Sequence, residues 1–554
     1  MNLPDPHNMS FSSLKSDIKK GLVKIPQFQR DFVWTKQKSA KLLDSIVKGY
    51  PIGTFILWKT KESLRAIRNI GGDQLPDTPK GDFIQYVLDG QQRLTSLYAS
   101  IMGLNVAKNN RVEDFSEIYI DLMASNENDI VLTDVSDKEP NSVIKIVDLI
   151  NQGITFFSNY PQTLHKKIED YKLQISSYSF SCITLKEAPI EVATEVFTRI
   201  NVSGKPLSVF EIMVAKTFDK KKDFDLAEKF DELIIKLENV NYDTLSDATV
   251  LQTISVILSR TKECKKKDIL KLNKKKFIDL WPDAIEAIEK TVDYFRSFYR
   301  IPVSKLLPYN ALIIPFAYFF YHHKDKPTGD KQKYLQDFFW RCSLTGRYSS
   351  SLESKVAQDI KKIDSILKNK RPNYDSPVDI RPDFIQTNGS FSAGRSFIKA
   401  ILCIYAYQQP KSFIDNSLVN ISNDWLKQAN SKNYHHFFPK AYLKKQKEED
   451  FYINHILNIT LVDDFLNKRV IRAKRPSIYM KDFAKKNEDL DKTMKSHLIN
   501  INRDGIWDDD YNTFFVNRAK AVSRLLKQRI IPDEIDKKGQ KEFDSDFEES
   551  ELNA

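Results

Sequence analysis

The sequence predicts an α+β chain of several domains, and three observations carry that reading. Over residues 1–207, short β-rich runs alternate with short amphipathic helices; over 208–424, lysine-rich amphipathic segments with few β-branched runs predict a mostly helical domain. From 425 to 530, His, Asn and aromatic residues thicken into a compact segment with the pattern of a hairpin followed by a helix. Residues 531–554 form an acidic tail, expected to be solvated and disordered or, in a sharper reading, to cover a basic face as a mimic of nucleic acid. A length of 554 residues, at roughly one domain per 150, suits three or four such parts.

The elements follow in order. Ser39 to Val47 has apolar residues at helical spacing and meets a stop signal at Gly49, Tyr50 and Pro51. Gly53 to Trp58 then reads as a buried strand, and the stretch from Gly71 to Gly81 as a loop. A second strand over Phe83 to Leu88 runs straight into a tight turn at Asp89 and Gly90, and from there into a helix through Leu94, Leu97 and Ile101. In the helical part, Pro282 and Pro302 are expected near helix ends. The lysines at 265–267 and 274–276 make a basic cluster whose plainest reading is a solvated helix face.

Composition excludes several classes. With 41% hydrophobic, 29% charged and 12% aromatic residues, the bulk of the chain is globular rather than disordered. The longest apolar runs, Ala311 to Tyr321 and Phe397 to Tyr407, fall short of the ~20 residues that span a bilayer. Pro4, Asp5, Pro6 and His7 replace the basic and apolar regions of a secretory signal, so a cytoplasmic location is expected, with no membrane partner. Cys182, Cys264, Cys342 and Cys403 stand singly, which argues against a disulfide framework and a cysteine zinc site and leaves any metal to His, Asn, Asp or Glu. The net charge is +11; because nine acidic and three basic residues follow from Asp533, the rest carries about +17, a balance that suits a polyanion.

The most specific chemistry lies at Tyr434, His435, His436, Phe437, Phe438 and Pro439, with Asn458 following His436 by 22 residues and Asn467 another nine on. Hydrolysing a phosphodiester needs a water deprotonated near neutral pH, which an imidazole of pKa about 6.5 can do, and a cation to neutralise the phosphate. This constellation resembles the HNH, or ββα-metal, nuclease motif. The resemblance implies that His436 is the general base, that Asn458 orients it, and that His435 and Asn467 bind one divalent cation, Mg²⁺ or Mn²⁺. The residue before the base is most often Asp or Glu in that family, and His435 is a softer ligand for Mg²⁺; Asp463 and Asp464 are substitutes close by in the sequence. Lys468, Arg469, Arg472, Lys474 and Arg475 put five positive charges next to the site, suited to positioning DNA phosphates, the plain alternative being a solvated basic turn.

A second set lies near the N-terminus: Ile25, Pro26, Gln27, Phe28, Gln29 and Arg30 with Val33 and Trp34; Asp89, Gly90, Gln91, Gln92 and Arg93; and Phe197 to Asn201 with Gly204 and Leu207. A glycine turn opening a helix supplies backbone donors for an anion, Gln92 and Arg93 can hold phosphate or base edges, and Asp89 can hold a cation or water. The plain alternative is an internal Asp89–Arg93 salt bridge bracing the turn, with Pro26 and Trp34 as packing residues and Asn201 and Gly204 as a turn closing the pocket. Together these motifs resemble the GmrS-like, ParB/sulfiredoxin-type domain of GmrSD restriction systems, also found in SspE-type phage-defence proteins. The order of the two constellations matches a fused GmrS-plus-GmrD arrangement.

The resemblance implies a nucleotide site at Gln29, Arg30, Asp89, Gly90, Gln91, Gln92 and Arg93 for GTP or another NTP, with binding or hydrolysis. It implies a DNA endonuclease acting on invading, modified phage DNA, and homo-oligomerisation is a further expectation. The rival readings are a nucleotide-responsive DNA-binding protein with a decayed HNH site, and an HNH toxin or RNase.

Overall fold

A computed structural model describes the chain apart from residues 1–2, 27–28, 30–31, 63, 65, 68, 71–72, 109–110, 126–127, 201–207, 220, 424–433, 463–470, 472, 538 and 541–554. It divides into two compact units, Met1–Leu226 and Ala227–Ala554. Among the described residues no helix is long and apolar enough to cross a membrane.

The first unit is built on β1 (Asp5–Ser10), α1 (Phe11–Lys19), β2 (Val23–Pro26), α2 (Lys36–Val47), β3 (Phe55–Thr60), β4 (Ala66–Ile67), β5 (Ile84–Asp89), α3 (Gln91–Met102) and β6 (Ser179–Lys186). One mixed sheet runs β1-β6-β3-β5-β2-β4, with β6 parallel to β3, β2 parallel to β5, and the other neighbours antiparallel. α1 starts where the Ser10 hydroxyl accepts from Ser13 N at 3.2 Å, and it buries Phe11, Leu14 and Ile18, one helical stripe. α2 is capped likewise by Thr35 and ends at Gly49, whose φ of 74° only glycine adopts freely. The predicted strands and helices over 39–101 are all present, each shifted by three residues or fewer at its ends. Leu43, Leu57, Val87, Leu97 and Phe180 fill the core between sheet and helices.

The second unit is helical through α4 (Lys274–Ser297), α5 (Ile313–His322), α6 (Gly329–Leu344), α7 (Leu352–Leu367) and α8 (Ser396–Tyr407), then mixed through β7 (Tyr434–His436), α9 (Lys440–Lys445), β8 (Ile459–Leu461), α10 (Pro476–Ala484) and α11 (Tyr511–Lys527). Phe295, Tyr299, Phe316 and Phe339 form its aromatic centre, with Tyr299 stacked on Phe339 at 4.2 Å between centroids. Pro282 does not end a helix as its sequence position suggested: it lies inside α4. A proline there costs about 3 kcal/mol. The apolar stripe of Phe277, Trp281, Ala284, Ile285, Ile288 and Phe295 is buried on both sides of it, and that burial outweighs the lost hydrogen bond.

Chain segments on both sides of residue 425 build one body. Phe391 N donates to Asn454 O (2.9 Å), Ile456 N to Gly389 O (2.8 Å), and the Tyr405 hydroxyl to Ile456 O (3.2 Å). The tail, expected to be solvated from residue 531, is instead packed over its first residues. Arg341, 2% exposed, reaches the Asp536 carboxylate with two guanidinium nitrogens at 2.9 and 2.7 Å, donates to Ile531 O and pairs with buried Asp337. Asp536 also accepts from Val378 N, and Arg371 pairs with Asp533. A buried guanidinium needs fixed anionic partners, so the acidic residues nearest the body are held by it rather than left in water. Asp536→Ala should therefore lower the stability of the second unit by about 3 kcal/mol, the cost of stripping a partner from a buried ion pair. Chemical denaturation checks this, and an unchanged midpoint would show the tail to be dispensable.

Candidate functional site

β7 and β8 pair antiparallel, Tyr434 opposite Leu461, His435 opposite Thr460 and His436 opposite Ile459. Two strands of three residues are too short to hold themselves. The hairpin is held by Asn458, fully buried, whose Oδ1 accepts from Phe438 N (2.8 Å) while Nδ2 donates to Phe438 O (3.0 Å) and Ile453 O (3.1 Å). Behind it the buried Arg518 donates to Leu457 O (2.8 Å) and His497 O (3.2 Å), and its guanidinium lies over the Tyr405 ring. Asn458, expected to orient the base, makes no hydrogen bond to His436; it fixes the backbone two residues beyond it.

Successive side chains of a strand face opposite ways, and this separates the two histidines. His435 is 2% exposed, its Nδ1 against the Thr460 hydroxyl at 2.9 Å and its ring edge-on to Phe413, Phe437 and Tyr479. Burial, with smaller contributions from His436, His497 and Arg518, pushes its pKa down to about 3. His436 is 9% exposed and faces the other way, its Nε2 3.1 Å from Asn454 Oδ1. Burial first and the Lys440 ammonium second hold its pKa down to about 4, so the ring is neutral at physiological pH. Its Nδ1 makes no hydrogen bond among the described residues, and His435 Nε2 is buried and has no partner among them.

The geometry does not bring His435 to the face of His436. Its unpaired Nε2 is the kind of atom a metal could use, since the other ring nitrogen is already held, but Phe413, Phe437 and Tyr479 wall it and the charged group felt there is Arg518, not a carboxylate. Mg²⁺ and Mn²⁺ take oxygen ligands, mostly carboxylates, and among the described residues no group of three or more His, Cys, Asp or Glu side chains is arranged to hold a metal ion. The described residues therefore do not fit such a cation at His435. Asn467, Asp463 and Asp464 lie outside the described residues, as do Lys468, Arg469 and Arg472. Of the basic stretch, Lys474 pairs with Asp482 at 3.3 Å at the surface, and the exposed Arg475 pairs with the buried carboxylate of Asp509 at 3.4 Å.

Sequence reasoning missed Asn454, Thr460, Lys440 and Phe391. Lys440 follows Pro439 and was visible as a positive charge four residues past the base; Phe391 acts through its carbonyl, which no residue type betrays.

In the first unit, Asp89 ends β5 and Gly90, with a φ of 97°, opens α3. Arg93 Nη1 donates to Ile52 O (2.7 Å); its Nη2 donates to Thr54 O (2.9 Å) and to the Asp89 carboxylate (3.1 Å); the guanidinium lies over the Phe55 ring. A Cβ on Gly53 would meet Arg93 Nη1 at 2.4 Å, and one on Gly90 would meet Phe55 Cδ1 at 2.4 Å. Both glycines are there for space as well as for φ. Gln29 donates to Val87 O, and Gln92 accepts from Val33 N at 2.9 Å. Gln91 is buried. Arg30, Asn201, Gly204 and Leu207 lie outside the described residues. The geometry matches the bracing alternative: Arg93 ties the turn to the segment before β3, and Asp89, 34% exposed, is the member that reaches solvent.

The sequence model of the GmrSD restriction endonuclease N-terminal domain matches residues 11–218, and that of the C-terminal domain matches 379–524. The chain belongs to the GmrSD restriction endonuclease family. It is also similar to an uncharacterized protein of Methanocaldococcus jannaschii, 26% identical over 92% of this chain and 97% of the relative. The C-terminal match begins before α8 and so includes the 389–391 segment that pairs with Asn454 to Ile456.

Four buried histidines make the GmrSD C-terminal unit acid-sensitive. His435 is held down to about 3, and His436, His455 and His497 to about 4, in each case chiefly by burial. The unfolded chain takes up protons from about pH 6.5, the folded unit only near 4, so their contribution is complete above about pH 6.5 and is lost as pH falls toward 4. Denaturation midpoints should be level from pH 8 to 7 and fall steeply from 6.5 to 4.5, less steeply in His497→Gln; a midpoint independent of pH would contradict the burial of neutral rings.

Proposed function

We propose that this GmrSD-family chain is a DNA endonuclease of phage defence, with His436 as its general base. The supporting observation is the neutral His436 imidazole at the end of a braced hairpin, held through Nε2 by Asn454 and with no hydrogen bond to Nδ1 among the described residues. In the proposed reaction Nδ1 takes a proton from a water, the water oxygen attacks phosphorus, and the P–O bond to the leaving oxygen breaks, that oxygen later taking a proton. Lys440, close enough to depress His436, adds a positive charge beside it, which in the proposed reaction would stabilise the phosphate. No ion pair or hydrogen bond of Lys440 exists among the described residues to neutralise it. The cation that the HNH resemblance implies has no complete ligand set among the described residues.

The same proposal gives the first unit a nucleotide response. The Asp-Gly-Gln-Gln-Arg turn supports it, and among its described side chains we assign the contact to Asp89, because Arg93 and Gln29 donate to backbone carbonyls. Arg93→Ala would unbrace the turn and is a poor probe, whereas Asp89→Asn keeps shape; it should weaken GTP or ATP binding in calorimetry, and equal binding by wild type and variant would remove Asp89 from the site.

For the nuclease itself, wild type and His436→Ala are incubated with unmodified plasmid and base-modified phage DNA, with and without Mg²⁺ or Mn²⁺ and GTP. Loss of general-base catalysis costs about 10²- to 10⁴-fold, so cleavage by the variant should vanish from the gel while DNA binding in a shift assay persists. Full cleavage by His436→Ala would refute the assignment; binding without cleavage by either protein would favour a DNA-binding protein with a decayed site.

A further inference from the structure

Asn454 belongs to neither motif, yet among the described residues it is the one side chain hydrogen-bonded to His436. Its own orientation is settled by a second contact: Nδ2 donates to the carbonyl of Phe391 at 3.3 Å, while Phe391 N donates back to Asn454 O at 2.9 Å. A carbonyl accepts only, so the amide nitrogen must face Phe391 and the amide oxygen must face His436. That oxygen also accepts only, so the His436 nitrogen facing it at 3.1 Å, Nε2, must carry the proton. In a neutral ring the lone pair is then on Nδ1.

We propose that Asn454 is a positioning residue of the nuclease site: held by the Phe391 carbonyl, it fixes His436 as the Nε2–H tautomer and presents Nδ1 as the nitrogen that accepts the proton of the attacking water. The proposal rests on His436 being the base, as proposed above. It shifts the orienting role from Asn458, which fixes the backbone, to a residue four positions earlier that fixes the proton. It also explains why 389–391 belongs to the site although it holds no reactive side chain: its contribution is one carbonyl oxygen.

The test compares Asn454→Asp and Asn454→Leu in the full chain. Aspartate keeps an acceptor toward His436 but loses the donor toward Phe391; leucine loses both. A tautomer role predicts cleavage lowered about 10- to 100-fold in Asn454→Leu, the scale on which losing the partner of a functional histidine acts, and restored to within a few-fold of wild type in Asn454→Asp, with DNA binding unchanged in both. A merely structural role through Phe391 would lower both variants alike together with their thermal midpoints, and that outcome overturns the proposal, as does full activity of the leucine variant. Histidine-selective ¹⁵N spectra, with the His436 signals assigned by their loss in His436→Gln, give a readout that needs no cleavage. Wild type and Asn454→Asp should show the Nε2–H form and Asn454→Leu a mixture, while an Nδ1–H wild type refutes the proposal. If His436→Ala still cuts DNA, the base assignment fails, and the spectra decide the tautomer on their own.

Discussion

The carboxamide of Asn458 is the constraint on which the candidate site depends. Its oxygen takes the N–H of Phe438 and its nitrogen gives to the C=O of the same residue, so the side chain pairs with Phe438 as a neighbouring strand residue would. A hairpin of three residues a side is thereby extended by one rung past His436, at the point where Pro439 turns the chain into α9. A carboxamide offers a donor and an acceptor side by side, as a peptide group does. Aspartate would repel the Phe438 carbonyl, and leucine would leave both backbone groups buried and unpaired at about 1–3 kcal/mol each. The third bond, to Ile453 O, carries the constraint to the residue before Asn454. One amide therefore sets both sides of His436: the strand it sits on and the residue its ring meets.

The first unit solves a similar problem with a cation. Between α2 and β3 the chain must pass close to the start of α3, and Arg93 closes that gap by donating to two carbonyls, Ile52 and Thr54, while Asp89 offsets its charge. Gly53 and Gly90 leave the room the guanidinium and the Phe55 ring occupy. Signature residues of this kind look like ligand-binding groups because they are polar and clustered, but their hydrogen-bonding capacity is used within the fold. Of the described signature side chains, Asp89 keeps the most exposure, 34% against 17% for Arg93.

Much of this was legible in the sequence, for identifiable reasons. The strand, turn and helix over 83–101 could be read because Gly90 and the apolar spacing of Leu94, Leu97 and Ile101 are local signals. The hairpin around His436 could be read because the histidine, the proline and Asn458 stand at fitting intervals. Three things could not. The position of Pro282 inside a helix depends on the burial of Trp281 and Ile285, a tertiary effect. The docking of Asp536 depends on Arg341, nearly two hundred residues earlier. The partner of His436 depends on a backbone carbonyl at Phe391, and backbone atoms leave no mark on a residue pattern.

Strand parity decides what each of the adjacent histidines can do. Two neighbours on one strand serve the same pocket only if pairing ends between them, and here the register continues through His436 opposite Ile459. His435 is consequently turned to the core, where Phe413, Phe437 and Tyr479 accept it as a neutral, half-apolar ring with one hydrogen bond to Thr460. A histidine where the HNH resemblance leads one to expect a carboxylate suits this environment, because an imidazole can stay uncharged when it is desolvated. The same parity turns His435 away from the face of His436, whose ring among the described residues meets the side chain of Asn454.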